Sequence, residues 1–248
     1  MNLPFFGVAR AYSFLKIGLI ASLISLNSGL LAQNKSLKNE KLFWKEDFSS
    51  GKLPEGWINK ALNDSSILWE CTNQPFPGSY GRDQQAPPIA SKSGGFHMQY
   101  ASGARVERAY RKWEKAGIWP DAYFQTPAID CSKKGSVVLK FQQNFMWNDW
   151  GKLRKDGGLF VCVSSNGTDW KEYEVRNGIG SEADCPNPMN VELNITSVAA
   201  FQPKVYLRFQ WRGIYAWYWM VDDIELSEAL DVDVAASALV SHPKSGNS

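Results

Sequence analysis

The chain has 248 residues, 44% hydrophobic and 21% charged, which is the composition of a folded globular protein and not of a disordered one. A formal net charge of +2 argues against a protein that binds nucleic acid by neutralising phosphates. The length allows one large domain or two small ones, and 11 tryptophans suffice for a thick aromatic core or an exposed sugar-stacking face.

Residues 1–32 read as a secretory signal peptide. Arg10 and Lys16 give a positive start, residues 17–24 are apolar and uncharged, and Leu30-Leu31-Ala32 offers a cleavage site before Gln33. The alternative, a membrane anchor, would need a longer span without Asn27 and Ser28. No later segment is long and apolar enough to cross a membrane. Residues 33–41 read as a polar linker, 42–227 as one domain, and 228–248 as a tail of small and polar residues.

Within the domain, LFWKEDF (42–48) predicts a first strand, followed by the turn-rich SSGKLPEGW. An ordered run begins at Ile67-Leu68-Trp69. Residues 71–95 are rich in Pro, Gly, Ser and Gln and read as a long irregular loop. FHMQY (96–100) alternates as a strand does. ARVERAYRKWEKAG (104–117) places Val106, Tyr110 and Trp113 on one helical face and ends on a glycine stop. It reads either as a solvated helix packed by its aromatic face or as an anion- or partner-binding element. Strands follow at 123–127, 136–147 and 158–165. Asn166-Gly167 then supplies the positive φ of a hairpin turn into WKEYEV. Further strands are expected at 191–195, 204–211 and 215–226. The pattern predicts an all-β fold, an antiparallel β-sandwich of jelly-roll type with one short inserted helix.

Four cysteines, Cys71, Cys131, Cys162 and Cys185, are an even count. In an exported protein this points to two disulfides, and spacing does not choose among the three full pairings. No CxxC occurs, so zinc is not indicated. Cys162, in the run LFVCV, reads equally as a small buried hydrophobe.

The motifs also form an ordered series. Glu46-Asp47-Phe48 and LPEGW (53–57) come first, then a loop carboxylate and tryptophan, Asp64 and Trp69. AYFQTPAIDCS (122–132), LFVCVSSNGTDW (159–170) and WYWMVDDIEL (217–226) follow. This series resembles the MAM-like jelly rolls of bacterial surface proteins, including the cleaved-adhesin and choice-of-anchor J type domains often found in Bacteroidetes. The resemblance spans about residues 42–227. The segment 104–119 and the Pro-rich loop before it depart from the family core. It implies a β-sandwich that binds or adheres at a cell surface, commonly with a structural calcium.

Calcium takes six to eight oxygen ligands, and a buried carboxylate needs a cation or several donors. Strand alternation places Asp222 on the face of Ile224 and Leu226, so an inward Ile224 predicts an inward Asp222. First and last strands are often neighbours in a jelly roll, which brings Glu46 and Asp47 towards Asp222, and Asp64 could complete the set. The alternative is that Asp222 caps backbone amides or pairs with an arginine such as Arg208 or Arg212.

Catalysis has little support. The histidines are His97 and His242, and neither GxSxG nor HExxH occurs. Asp223, Glu225 and Glu228 resemble the acidic strand of laminarinase-like hydrolases only superficially, with the residue types in the wrong order. Sugar binding is the sharper expectation. Trp147, Asn148 and Trp150, with Trp119, would stack on sugar faces while polar groups bind hydroxyls. Alternatively these rings cover the edge of the core. Protein adhesion through the Pro-rich loop and basic helix is a third possibility. The sequence thus predicts a secreted or cell-surface, non-catalytic binding or adhesion module for carbohydrate or a surface protein, with a structural calcium. The alternatives are a glycoside hydrolase-like enzyme and an accessory subunit of a secreted complex.

Overall fold

Alternating apolar residues along short segments build two antiparallel sheets whose apolar faces meet. The computed structural model describes residues 40–63, 67–77, 86–102, 119–147, 157–180, 183, 185–213 and 217–229. The chain divides into two compact units, Met1–Ser36 and Leu37–Ser248, and every described residue lies in the second.

The strands are β1 (Glu40–Glu46), β2 (Ile58–Ala61), β3 (Glu70–Thr72), β4 (His97–Tyr100), β5 (Asp121–Gln125) and β6 (Val138–Met146). They continue as β7 (Gly158–Ser164), β8 (Lys171–Glu174), β9 (Met189–Asn194), β10 (Tyr206–Arg212) and β11 (Tyr218–Ala229). A single helical turn, α1 (Thr196–Ala199), precedes β10. The first sheet has the order β3-β4-β11-β6-β9, with β1 also paired to β11, and the second has the order β2-β5-β10-β7-β8. β6 follows one edge of β11 along its length. The opposite edge is shared: β4 pairs with Trp219–Val221, and β1 pairs from Ile224 to Ala229.

These elements match the predicted β-sandwich. First and last strands are indeed neighbours, with Glu46 opposite Ile224. The Asn166-Gly167 turn joins β7 to β8, and Gly167 has φ +80°. β1 opens at Glu40, inside the expected linker, and β11 runs to Ala229, past the expected end of the domain. β2 and β3 are too short to show periodicity and gain their order from pairing with β5 and β4. The expected helix at 104–117 lies outside the described residues. Among the described residues no helix is long and apolar enough to cross a membrane.

The core is aromatic. Phe124 of β5 stacks on Phe209 of β10 at 4.8 Å and 3°, and meets Trp69 edge-on at 4.7 Å. Trp69, just before β3, meets Trp219 of β11 at 5.2 Å, and Tyr100 of the first sheet lies 4.9 Å from Trp211 of the second. Trp69, Trp211 and Trp219 are all buried, so much of the tryptophan content joins the two sheets. A second, smaller cluster covers the outer face of the first sheet. There Phe76 and Ile89, from the Pro-rich loop, pack on Tyr218 and Met220.

The expected disulfides are absent: all four cysteines are free thiols. Cys131 and Cys162 are buried as small hydrophobes, and burial first of all pushes the thiols of all four up to between about 11 and 12. They stay protonated and inert at neutral pH. The unfolding midpoint is expected to be the same with and without a thiol reductant, and a fall of several degrees on reduction would contradict this.

Candidate functional site

Two places gather polar side chains. The first is the junction where β1 and β4 share the edge of β11. Asp223 has φ +49°, and the register with β6 shifts between Asp222 and Glu225. This irregularity reverses the alternation of β11. Before it, Trp219 and Val221 face the core; after it, Ile224 and Leu226 do. Asp222 therefore lies on the face of Met220, outside the sandwich, and not on that of Ile224 as strict alternation predicts. It is nevertheless buried, because residues 91–93 of the Pro-rich loop lie over it.

The donors to Asp222 are local. Ser91 Oγ donates to Oδ2 at 2.5 Å, Ser93 Oγ to Oδ2 at 3.3 Å, and the Asp223 amide to Oδ1 at 2.8 Å. Arg208 and Arg212, the partners considered from sequence, sit on the other sheet. Burial pushes the Asp222 carboxyl up from 3.8 to about 7, against the lowering effect of Ser91 and the Asp223 amide. The loop is held at further points. The Ser93 amide donates to Asp223 at 3.0 Å, the Lys92 amide to Gln142 at 2.6 Å, and the Ala90 amide to Asn187 at 2.8 Å.

Beside this junction is a cleft of about 230 Å³ whose lining includes Glu46, Asp47, Asp223, Glu225, Lys45 and Lys92. Its carboxylates are already engaged. Asp47 meets Lys45 at 3.3 Å and accepts from the Ser49 amide, Glu46 accepts from the Phe48 amide at 2.7 Å, and Lys92 approaches Glu225 at 3.9 Å. Of the residues named for calcium, Glu46 and Asp47 thus face the cleft, Asp222 is covered by the serine loop, and Asp64 lies outside the described residues. Among the described residues no three His, Cys, Asp or Glu side chains group so as to hold a metal ion. The function below does not depend on a calcium ion.

The hydrolase-like acids are also engaged. Glu228 binds Lys134 at 3.2 Å and the Gly135 amide at 3.1 Å. His97 is fully buried, and its imidazole is pushed down to about 4, chiefly by burial. It is out of reach of a substrate.

Of the expected tryptophan platform, Trp147 and Trp119 are among the described residues. Trp147 is 7% exposed and belongs to the core, its indole N–H donates to the Ile179 carbonyl at 3.0 Å, and the Arg176 guanidinium covers its ring at 4.1 Å. The ring edges the sandwich, which was the alternative reading. Asn148 and Trp150 lie outside the described residues. Trp119 is half-buried just before β5, and its carbonyl accepts from the Asn63 amide group.

The second place is the outer face of the second sheet. Leu207, Phe209 and Trp211 of β10 point into the core, so Tyr206, Arg208, Gln210 and Arg212 point out. Asp121, Tyr123 and Gln125 of β5 stand beside them, as do Phe160 and Cys162 of β7. The Arg208 guanidinium lies 3.9 Å from the ring centres of both Tyr123 and Trp170. Its Nε and Nη2 donate to Gln125 Oε1 at 3.2 and 2.9 Å. Gln210 donates to Asp121 at 2.7 Å and accepts from Arg212 at 3.3 Å. Arg212 in turn grips both oxygens of Glu172 and lies 4.6 Å over Phe160. Asp121, Gln125 and Gln210 are each under 10% exposed, so these outward polar groups are held in place rather than free in solvent. Sequence reasoning missed this face. The alternation in YLRFQWR and DAYFQ carried the signal, but not which strands are neighbours.

No protein-family model matches the sequence, and no curated protein sequence does. Among solved structures, the chain is similar to the K1 cleaved adhesin domain of Lys-gingipain from Porphyromonas gingivalis W83. The identity is 16% and the TM-score 0.44, over 74% of this chain and 96% of that one. The K2 cleaved adhesin domain of Lys-gingipain gives 16% identity and a TM-score of 0.44, over 76% and 99%. A family 11 carbohydrate-binding module of a Clostridium thermocellum cellulosomal cellulase gives 12% identity and a TM-score of 0.43, over 78% and 97%. The cleaved-adhesin type implied by the ordered sequence motifs is thus among the folds this chain is similar to.

Proposed function

We propose that the protein is a non-catalytic binding module of an exported or cell-surface protein, and that it takes a carbohydrate on the outer face of its second sheet. The observation that carries this reading is the Tyr123–Arg208–Trp170 stack with its flanking network of Gln125, Gln210, Asp121 and Arg212. Polar side chains ordered before a ligand arrives cost little entropy on binding. Adjacent strands set them about 4.8 Å apart across the sheet. A sugar chain laid across the strands therefore meets fixed donors and acceptors at a regular spacing, and carbohydrate hydroxyls serve as both. A site for acid–base catalysis is not part of this reading, because the groups on the face are engaged with one another.

The test is binding to a panel of neutral and acidic polysaccharides by affinity electrophoresis and calorimetry. A variant carrying Tyr123→Ala and Trp170→Ala releases Arg208 from its stack and is expected to lose at least about tenfold in affinity, roughly 1.4 kcal/mol or more. Its circular dichroism should remain that of the parent. Unchanged affinity in a folded double variant would place the ligand elsewhere.

A further inference from the structure

We infer that the ligand of this face carries a carboxylate, as the uronate units of an acidic polysaccharide do, and that Arg208 is the residue that binds it. The inference rests on the assignment of the second sheet's outer face as the binding face.

The arginines around the face differ in one respect. Arg212 is paired with Glu172 through two hydrogen bonds, and Arg176 is paired with Glu174. Arg208 has no carboxylate partner among the described residues, and its hydrogen bonds go to the neutral oxygen of Gln125. The neighbouring acid, Asp121, accepts instead from Gln210. Arg208 is half-buried between two rings, so its charge is partly removed from water; no carboxylate among the described residues hydrogen-bonds to it, and Asp121 acts on it only through space. A cation in that state is costly to the folded protein alone, and an arriving anion relieves the cost.

The geometry also specifies the anion. Stacking on both faces fixes the guanidinium plane. Gln125 takes the edge formed by Nε and Nη2. The end formed by Nη1 and the remaining N–H of Nη2 donates to no partner among the described residues and presents a planar pair of N–H donors, the fork that matches a carboxylate with two parallel hydrogen bonds. The two rings are spent on holding the arginine. They are poorly placed to stack on a neutral sugar, so recognition falls to charge and hydrogen bonding.

The test compares polygalacturonate with the same polymer after its carboxyl groups have been reduced to alcohols, using the intact protein. The expected result is at least tenfold tighter binding of polygalacturonate at low salt, weakening as salt is raised. Arg208→Gln should abolish that preference and bind both polymers equally weakly, and Arg208→Lys should recover only part of it. The comparison of the two polymers needs no variant, so it stands even if a substitution unfolds the protein. Equal binding of the two polymers, or a preference that survives Arg208→Gln, overturns the inference. In that case the binding face stands if the Tyr123/Trp170 variant still loses affinity. Preference for a sulfated galactan over polygalacturonate overturns the carboxylate assignment. Binding to no polysaccharide in the panel overturns both this inference and the function it rests on.

Discussion

Replacing Asp222 by asparagine is expected to stabilise the protein above pH 7 and to change little below pH 4. The reason is the burial of a carboxyl beneath the Ser91–Ser93 loop, which lifts it to about 7 from an ordinary 3.8. Between those values the folded state keeps a proton that the unfolded state has released. Stability therefore falls as pH rises through that window and levels off above about 7, where the buried charge is fully formed. Converted in full, the lift corresponds to about 4 kcal/mol. Water near the exposed Lys92 and Ser93 backbone screens part of it, so a gain on the order of 2 kcal/mol is the expectation. Asparagine keeps an oxygen for the Asp223 amide, and the serine hydroxyls can turn to accept from its amide group. Urea unfolding at pH 4, 6 and 8 checks this. Flattening of the pH dependence with a higher midpoint at pH 8 is predicted. A large loss of stability at pH 8 would show that the carboxylate is needed ionised, as a cation ligand would be.

The second large effect concerns the seam between the sheets. Phe124→Ala is expected to cost about 3–5 kcal/mol, the range for deleting a buried aromatic ring. Phe124 is fully buried and touches aromatic partners on several sides: Phe209 at 4.8 Å, Trp69 at 4.7 Å, Trp57 at 6.0 Å and Phe48 at 6.2 Å. These rings come from β5, β10 and loops next to β1, β2 and β3, so local collapse cannot fill the space. The loss should appear in denaturant midpoint with little change in its slope. A cost below about 1 kcal/mol would mean that the rings are not packed as described.

Much of the fold was legible in the sequence because period-2 alternation is a local property. The runs that became β6, β7, β10 and β11 showed it, and Asn166-Gly167 marked its hairpin. β2 and β3 were not legible, since three or four residues carry no period and are ordered only by their neighbours. Asp222 shows a subtler limit. One positive-φ residue, Asp223, reverses which residues face the core, and nothing in VDDIEL announces it. Trp147 failed as a sugar platform because exposure depends on what packs over a ring, here Arg176. The polar face of the second sheet needed the order β5-β10-β7, which alternation alone does not provide.

The binding face can be located directly by titrating the isotope-labelled protein with oligogalacturonate and following backbone amide shifts by NMR. Perturbations concentrated at Asp121–Gln125, Gly158–Ser164 and Tyr206–Arg212, largest around Arg208, are predicted. Shifts confined instead to Glu46, Asp47 and Asp223, at the cleft between β1 and β11, would contradict the assignment.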